Sequence, residues 1–276
     1  MSDAVPAVML NDGVEMPRFG LGVFETPVDQ TEQIVRQAID RGYRLIDTAA
    51  AYRNEAGVGE AIRDQPNVFV TTKLWNEQQG YDQTLRAFDR SHARLGRIDL
   101  YLIHWPAPSR GQYVESWRAM VELKAQGRVG SIGVSNFAPE HLDRIIDATG
   151  VVPVVNQIEL HAYFQQRPMM ARHAELGIAT MAWSPLARGK HPDQPAIEAI
   201  AARVGRTPAQ VVLRWHMQYG TIAIPKTVNP GRMDENIAIF DFQLSPEDMA
   251  AIAALDDADG RIGPTPDWPG PDGVEI

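Results

Sequence analysis

Eight short apolar runs, separated by stretches with helical spacing, constrain this chain more than any other feature. The runs are Phe19 to Val23, Leu45 to Asp47, Val68 to Thr72, Leu100 to His104, Ser131 to Val134, Val154 to Ile158, Ala179 to Trp183 and Ile222 to Pro225. Between them, sets such as Ile34, Ala38 and Ile39, or Leu142, Ile145 and Ile146, recur at the interval of a helix face. Strands that are apolar on both faces and alternate with helices form a parallel sheet, and eight such units without a linker close into a (β/α)8 (TIM) barrel. The expected architecture is α/β, a single barrel domain over 1–276, with a short N-terminal β-hairpin in Ala7 to Met16 and an irregular C-terminal tail. Thr207-Pro208 and Ser245-Pro246 read as helix starts, with a capping side chain followed by proline at the first helical position. The tail, GRIGPTPDWPGPDGVEI, holds four prolines that resist regular structure, and leaves two outcomes open: a frayed terminus, or Trp268 folded back over the barrel mouth.

Composition removes several classes. A net charge of −9 opposes general nucleic-acid binding, which needs a basic face. With no cysteine there is no disulfide, thiolate nucleophile or Cys-ligated metal, and the seven histidines include no H-x-H or H-x-x-x-H pair, so no metal is expected. The start, MSDAVPAVMLNDG, lacks the basic and apolar regions of a signal peptide, and no apolar span reaches membrane length. The expectation is a cytoplasmic monomer that acts on a small molecule, with neither nucleic acid nor membrane as partner.

In a barrel the reactive groups lie at the carboxyl ends of the strands and in the loops beyond. Asp47, Lys73 and His104 end the second, third and fourth runs, and Tyr52 follows in the loop after the second. A carboxylate behind the apolar pair Leu45-Ile46 is costly without a cation. Neighbouring strands lie roughly 5 Å apart, so Lys73 can be that cation. A tyrosine beside an ammonium has a stabilised phenolate, and a histidine can orient a polar oxygen; together they suit protonation of a carbonyl oxygen while something else attacks the carbon. Singly, each residue has a plainer reading: a helix cap, packing, a solvated strand end, a core histidine. Jointly they share one explanation in carbonyl chemistry.

No side chain delivers a hydride, so reduction requires a cofactor. Gly20 and Gly22 complete no G-x-G-x-x-G before a helix, and no phosphate-cradling G-x-x-x-x-G-K-[ST] occurs. IPKTVNPGRMDENI offers another anion site: Asn229-Pro230 reads as a helix start, which puts Arg232 in the first turn, where the dipole disfavours a cation unless a phosphate binds. Lys226 lies just upstream, and free backbone N–H groups are expected at the helix end. Ser135, Asn136, Gln157 and Trp183-Ser184, also at strand ends, suit a carboxamide and a flat heteroaromatic ring, although each can equally be a turn or cap residue. Phe24, Trp75, Trp105, His161 and Trp268 are the expected walls of an open substrate pocket.

GYRLIDTAAAYRNEAGVG, RVGSIGVSNF and IPKTVNPGRMDEN, in that order, resemble the signatures of the aldo-keto reductases, a family of NADPH-dependent (β/α)8 enzymes, and the resemblance covers essentially the whole chain. LYLIHWPAP, NQIELHAYFQQ and TPAQVVLRWH are most similar to the bacterial branch that includes 2,5-diketo-D-gluconate reductases. The resemblance implies NADPH-dependent reduction of aldehydes, dicarbonyls or keto-sugars, with Tyr52 as proton donor, Lys73 and Asp47 lowering its pKa, and His104 orienting the carbonyl. It implies that Ser135, Asn136 and Gln157 hold the nicotinamide, that Trp183 stacks on it, that Lys226, Thr227 and Arg232 meet the 2′-phosphate, that Glu235 and Asn236 lie near the adenine, and that Ser184, Leu186 and Val228 also bind the cofactor. Asn229 stands where some relatives carry an arginine, which leaves the preference for NADPH over NADH open. A short segment after Ser184-Pro185 points to a reduced cofactor clasp or substrate loop. The rival expectation is a nucleotide-binding, non-catalytic subunit of the same fold.

Overall fold

The structure is a computed structural model that describes residues 5–189 and 195–270. Residues 190–194, within the segment after Ser184-Pro185, and residues 271–276 of the tail lie outside the described residues. Strands β1 (Ala7–Met9) and β2 (Glu15–Pro17) form the expected antiparallel hairpin. Eight parallel strands follow: β3 (Leu21–Gly22), β4 (Leu45–Asp47), β5 (Phe69–Leu74), β6 (Leu100–Ile103), β7 (Ser131–Ser135), β8 (Val155–Glu159), β9 (Ala179–Trp183) and β10 (Ile222–Ala223). Each pairs with the next in sequence. Bridges from Phe19 to Ala223 and from Gly22 to Lys226 join the ends, with Gly20 N–H donating to the Ala223 carbonyl at 3.0 Å and Gly22 N–H to that of Pro225 at 3.1 Å, so the sheet closes into a (β/α)8 barrel. Most strand ends shift by a residue or two from the sequence reading. The first and last barrel strands are two residues long, and the pairing between them takes the form of the single bridges just named. β5 runs one residue past Lys73, to Leu74.

Side chains alternate across a strand, so one parity class faces the lumen. Leu45, Leu100, Leu102, Val155, Met181, Ile222 and Ile224 pack there as an apolar layer with Leu10 and Met16, by which the hairpin region plugs the amino-terminal end. Two positions further along the same strands the same parity carries Asp47, His104, Gln157 and Trp183. The lumen is therefore apolar at one end and polar at the other.

The outer layer comprises α1 (Thr31–Asp40), α2 (Glu55–Ile62), α3 (Tyr81–Leu95), α4 (Tyr113–Ala125), α5 (Pro139–Thr149), α6 (Arg167–Leu176), α7 (Pro195–Val204), α8 (Pro208–Tyr219), α9 (Pro230–Ile237) and α10 (Pro246–Ala253). Their apolar faces, Ile34, Ala38 and Ile39 on α1 among them, bury against the strands. Thr207 and Ser245 cap α8 and α10, each accepting a backbone N–H into its hydroxyl. Gly59 lets α2 and α3 touch: a Cβ there would lie 2.1 Å from the Arg94 carbonyl oxygen. Beside it, buried Glu55 accepts from Thr72 at 2.6 Å and Arg94 at 3.1 Å and ties both helices to β5. Among the described residues no helix is long and apolar enough to cross a membrane.

Two core histidines give the fold an acid limit. His173 Nδ1 lies 2.7 Å from the Thr180 hydroxyl and its Nε2 faces the Asn156 amide nitrogen at 3.0 Å, while His216 Nε2 faces the Pro185 carbonyl at 3.2 Å. Burial pushes His173 down to about 4. Burial likewise takes His216 down to about 3, opposed by the Pro185 carbonyl. The unfolded chain binds protons at these rings below about 6.5, the folded chain only near the lower values, so stability falls as pH drops through this window. The expected loss is about 1.5 kcal/mol per ring between pH 6.5 and 5. Urea unfolding at the two pH values checks this; equal midpoints would refute it.

Candidate active site at the carboxyl ends of the strands

Asp47 pairs in register with Thr71 of β5, and two residues further along that strand Lys73 turns its ammonium to the carboxylate. Lys73 Nζ donates to Asp47 Oδ1 at 2.5 Å and to the Thr48 carbonyl at 2.9 Å, and both side chains are buried. Asp47 Oδ2 accepts from Gln157 Nε2 at 2.7 Å, across the lumen from a strand 110 residues away. Burial depresses the Lys73 pKa, but Asp47 and Tyr52 more than restore it and leave it above the ordinary value. Lys73 is thus a fixed cation at neutral pH.

Tyr52 comes from a 3₁₀ turn, Ala50–Tyr52, whose loop is held by two buried bonds: Thr48 Oγ1 to Asn54 Oδ1 at 2.6 Å, and Asn54 Nδ2 to the Val23 carbonyl at 2.9 Å. The Lys73 ammonium sits 5.1 Å from the centroid of the tyrosine ring. Burial raises the Tyr52 pKa; Lys73 lowers it, and the Asp47 charge raises it again, so the net direction is upward. This corrects the expectation that Asp47 and Lys73 both lower it. Only Lys73 acts directly in that sense, and Asp47 helps by keeping Lys73 charged. His104 lies edge-on to Tyr52, with ring centroids 5.7 Å apart. Burial, and then Lys73, hold its pKa well below the usual histidine range. The ring is neutral and offers one N–H donor instead of a charge. Its Nδ1 has no partner among the described residues.

On the adjoining rim Ser135, Asn136, Gln157 and Trp183 come together but already bond one another. Ser135 donates to the Gln157 carbonyl at 2.8 Å; Asn136 Nδ2 reaches the His104 carbonyl and the Ser135 hydroxyl at 3.0 Å each; Trp183 Nε1 donates to Asn136 Oδ1 at 2.8 Å. A carboxamide seated here would exchange with Trp183 at Asn136 Oδ1. Asn136 (φ 62°) and Ser184 (φ 49°) both sit in the left-handed region just past their strands, backbone strain of the kind that gathers at functional sites. Leu186 is half-buried beside them.

At α9, Asn229 Oδ1 accepts the Arg232 backbone N–H at 3.1 Å, and Met233 N–H goes to the Asn229 carbonyl. This corrects the expected row of free donors: with Pro230 lacking an N–H, Gly231 supplies the remaining one. Lys226, Val228 and Arg232 are exposed, and neither cation is in an ion pair among the described residues. Thr227 is buried and its hydroxyl accepts from Asn229 N–H. Asn236 is buried, and Glu235 already takes the Thr207 hydroxyl at 2.6 Å. Two unneutralised cations flanking a helix start fit a phosphate of a dinucleotide. Among the described residues no three His, Cys, Asp or Glu side chains are grouped to hold a metal.

Residues 18–257 match the model of the aldo/keto reductase family. The chain belongs to this family. It is an oxidoreductase that acts on carbonyl groups. An aldo-keto reductase of Mycobacterium sp. (strain JLS) is 53% identical, over 95% of this chain and 96% of that one. The methylglyoxal reductase DkgA of Yersinia pestis is 47% identical, over 97% and 98%. A crystal structure of a Gox0644 mutant in complex with NADPH superposes with a TM-score of 0.94 at 55% identity, covering 96% of this chain and 98% of that one.

The mouth of this aldo/keto reductase is aromatic. Phe24 packs 5.0 Å from Tyr52, Trp75 lies edge-on to His104 at 5.2 Å, and Trp268 stands edge-on to Trp105 at 5.0 Å and to Trp75 at 6.2 Å. Of the two outcomes left open for the tail, the fold-back over the mouth is the one observed. His161 is a correction: fully buried and bonded to Glu159 at 3.1 Å, it supports the loop from behind and cannot wall an open pocket. Arg188, in a 3₁₀ turn after β9, lies 5.4 Å over the Phe24 ring and was missed, as were Thr48, Asn54 and Glu159. The signal for Glu159 was its parity: it follows Gln157 on the lumen face of β8.

Proposed function

We propose that the chain reduces small aldehydes, dicarbonyls or keto-sugars to alcohols with NADPH, Tyr52 being the proton donor. The observation that carries this is one buried ammonium, Lys73, bonded to Asp47 and lying 5.1 Å from the centroid of the Tyr52 ring. When bound, NADPH supplies a hydride to the carbonyl carbon. Trp183, Asn136 and Gln157 would hold its nicotinamide end, and Lys226 and Arg232 its 2′-phosphate. The Tyr52 hydroxyl donates its proton to the carbonyl oxygen, and Lys73 stabilises the phenolate left behind until solvent reprotonates it. The neutral His104 N–H orients that oxygen, a role independent of pH across the neutral range. Trp75, Trp105 and Trp268 exclude water and tolerate varied substituents, a property in keeping with the methylglyoxal reductase relative.

The test follows NADPH and NADH oxidation against methylglyoxal, phenylglyoxal and a keto-sugar. Wild type is expected to turn over with NADPH preferred. Arg232→Ala should weaken NADPH by roughly tenfold to a hundredfold, the worth of one charge-assisted hydrogen bond, and leave NADH nearly unchanged. Equal losses for both cofactors would remove the phosphate assignment.

A further inference from the structure

We infer that Glu159 is a positioning residue for substrate selectivity: its buried carboxylate latches the C-terminal strap by two backbone amides and thereby sets Trp268 in the pocket wall. Glu159 Oε1 accepts the Ile262 N–H at 2.6 Å and Oε2 the Gly263 N–H at 2.9 Å. The carboxylate has no exposed surface, and its other neighbours are His161 Nε2 at 3.1 Å and the Arg261 guanidinium at 3.9 Å. A buried carboxylate that accepts two adjacent amides dictates where that backbone runs, since leaving either amide unpaired in such a place is costly.

The consequences run along the strap. At the latch, Gly263 lies against the indole of Trp183, so close that a Cβ would fall 2.4 Å from its Cη2 atom. Trp183 in turn donates to Asn136, and Asn136 to the His104 carbonyl. Arg261, one residue before the latched pair, covers the Phe164 ring at 4.6 Å. Five residues beyond Gly263, Trp268 meets Trp105 and Trp75, and the Pro269 carbonyl is taken by Asn76 Nδ2 at 3.0 Å. The strap is thus pinned on both sides of the mouth, and Glu159 is the charged pin. Glu159 makes no hydrogen bond or ion pair with Asp47, Tyr52, Lys73 or His104, so it acts on a substrate only through the strap, which carries Trp268 in the wall and places Gly263 against Trp183.

Amide hydrogen exchange on the wild-type protein reads the latch without any substrate. Ile262 and Gly263 should exchange at least about tenfold more slowly than Asp267, and Glu159→Gln, which keeps the shape but has one acceptor oxygen in place of two, should abolish that difference for at least one of the two amides. Glu159→Asp, which keeps the charge but draws it back, should fall between. Unprotected Ile262 and Gly263 amides in the wild type would overturn the latch even if no variant folds. The kinetic arm rests on the carbonyl-reductase reading. Glu159→Gln should raise KM for phenylglyoxal by about tenfold with little change in kcat, and should shift KM for methylglyoxal by no more than about twofold. Combined with Trp268→Ala it should add nothing, because both remove the same wall. Equal KM shifts for the two substrates, or additive effects in the double variant, would sink the proposal. Total inactivity of wild type would instead count against the reductase reading while the exchange result stands.

Discussion

Tyr52→Phe is expected to reduce NADPH-dependent turnover by roughly a hundredfold to ten-thousandfold, the usual worth of a positioned general acid. The change removes one oxygen and nothing else of consequence to the fold. The ring keeps its contacts with Phe24 and His104, and the Lys73 ammonium, 5.1 Å from the ring centroid, keeps Asp47 and the Thr48 carbonyl as partners. Cofactor affinity, read from quenching of tryptophan fluorescence, should therefore stay near the wild-type value while turnover collapses. Full turnover with unchanged affinity would falsify the proton-donor role. If wild type itself binds NADPH and reduces nothing, the non-catalytic binding subunit becomes the better reading.

Lys73→Met is the second large effect, and here stability and activity move together. Methionine fills much of the lysine volume but leaves the Asp47 carboxylate buried, with Gln157 as its remaining hydrogen-bond donor. Breaking a buried ion pair from one side costs about 3–5 kcal/mol. For a chain of this size that corresponds to a fall on the order of 10 °C in Tm. Burial already pushes the Asp47 carboxyl upward against the pull of Lys73 and Gln157. With the ammonium gone its folded pKa lies well above its unfolded one, so folding then favours the protonated form. The penalty is accordingly largest at neutral pH and shrinks as the pH falls toward the carboxylate range. Asp47→Asn combined with Lys73→Met should recover most of the lost stability and none of the activity, since the amide pair needs no counter-charge but leaves the tyrosine without a cation. Thermal melts at pH 5 and pH 7.5 test both claims; a single variant as stable as wild type at the higher pH would show that the pair is not the compensated charge it looks to be.

Alternation of short apolar runs with helical spacing carried the barrel from the sequence, because burial on both faces of a parallel strand leaves a continuous apolar signal that needs no knowledge of the neighbour. The same logic located Asp47, Lys73 and His104: a charged or polar residue directly behind such a run is out of place unless the strand end is a site. Proline after Thr207, Asn229 and Ser245 marked helix starts for an equally local reason. What could not be read was how donors and acceptors are shared. Ser135 and Gln157 were legible as polar strand-end residues, but the commitment of Ser135 to the Gln157 carbonyl depends on the register of neighbouring strands, and that of Gln157 to Asp47 on barrel closure. His161 looked like a pocket wall because its position past a strand end says nothing about which side of the loop it faces.

The order and kind of the elements, and the strand ends at which reactive groups stand, are legible in the amino-acid sequence, since both follow from periodicity within one segment. Barrel closure, by contrast, sets Asp47 against Gln157 across the lumen, and the return of the chain to the mouth sets Glu159 behind the strap that carries Trp268. These contacts join residues 110 and 103 positions apart, and no local preference brings them within hydrogen-bonding distance.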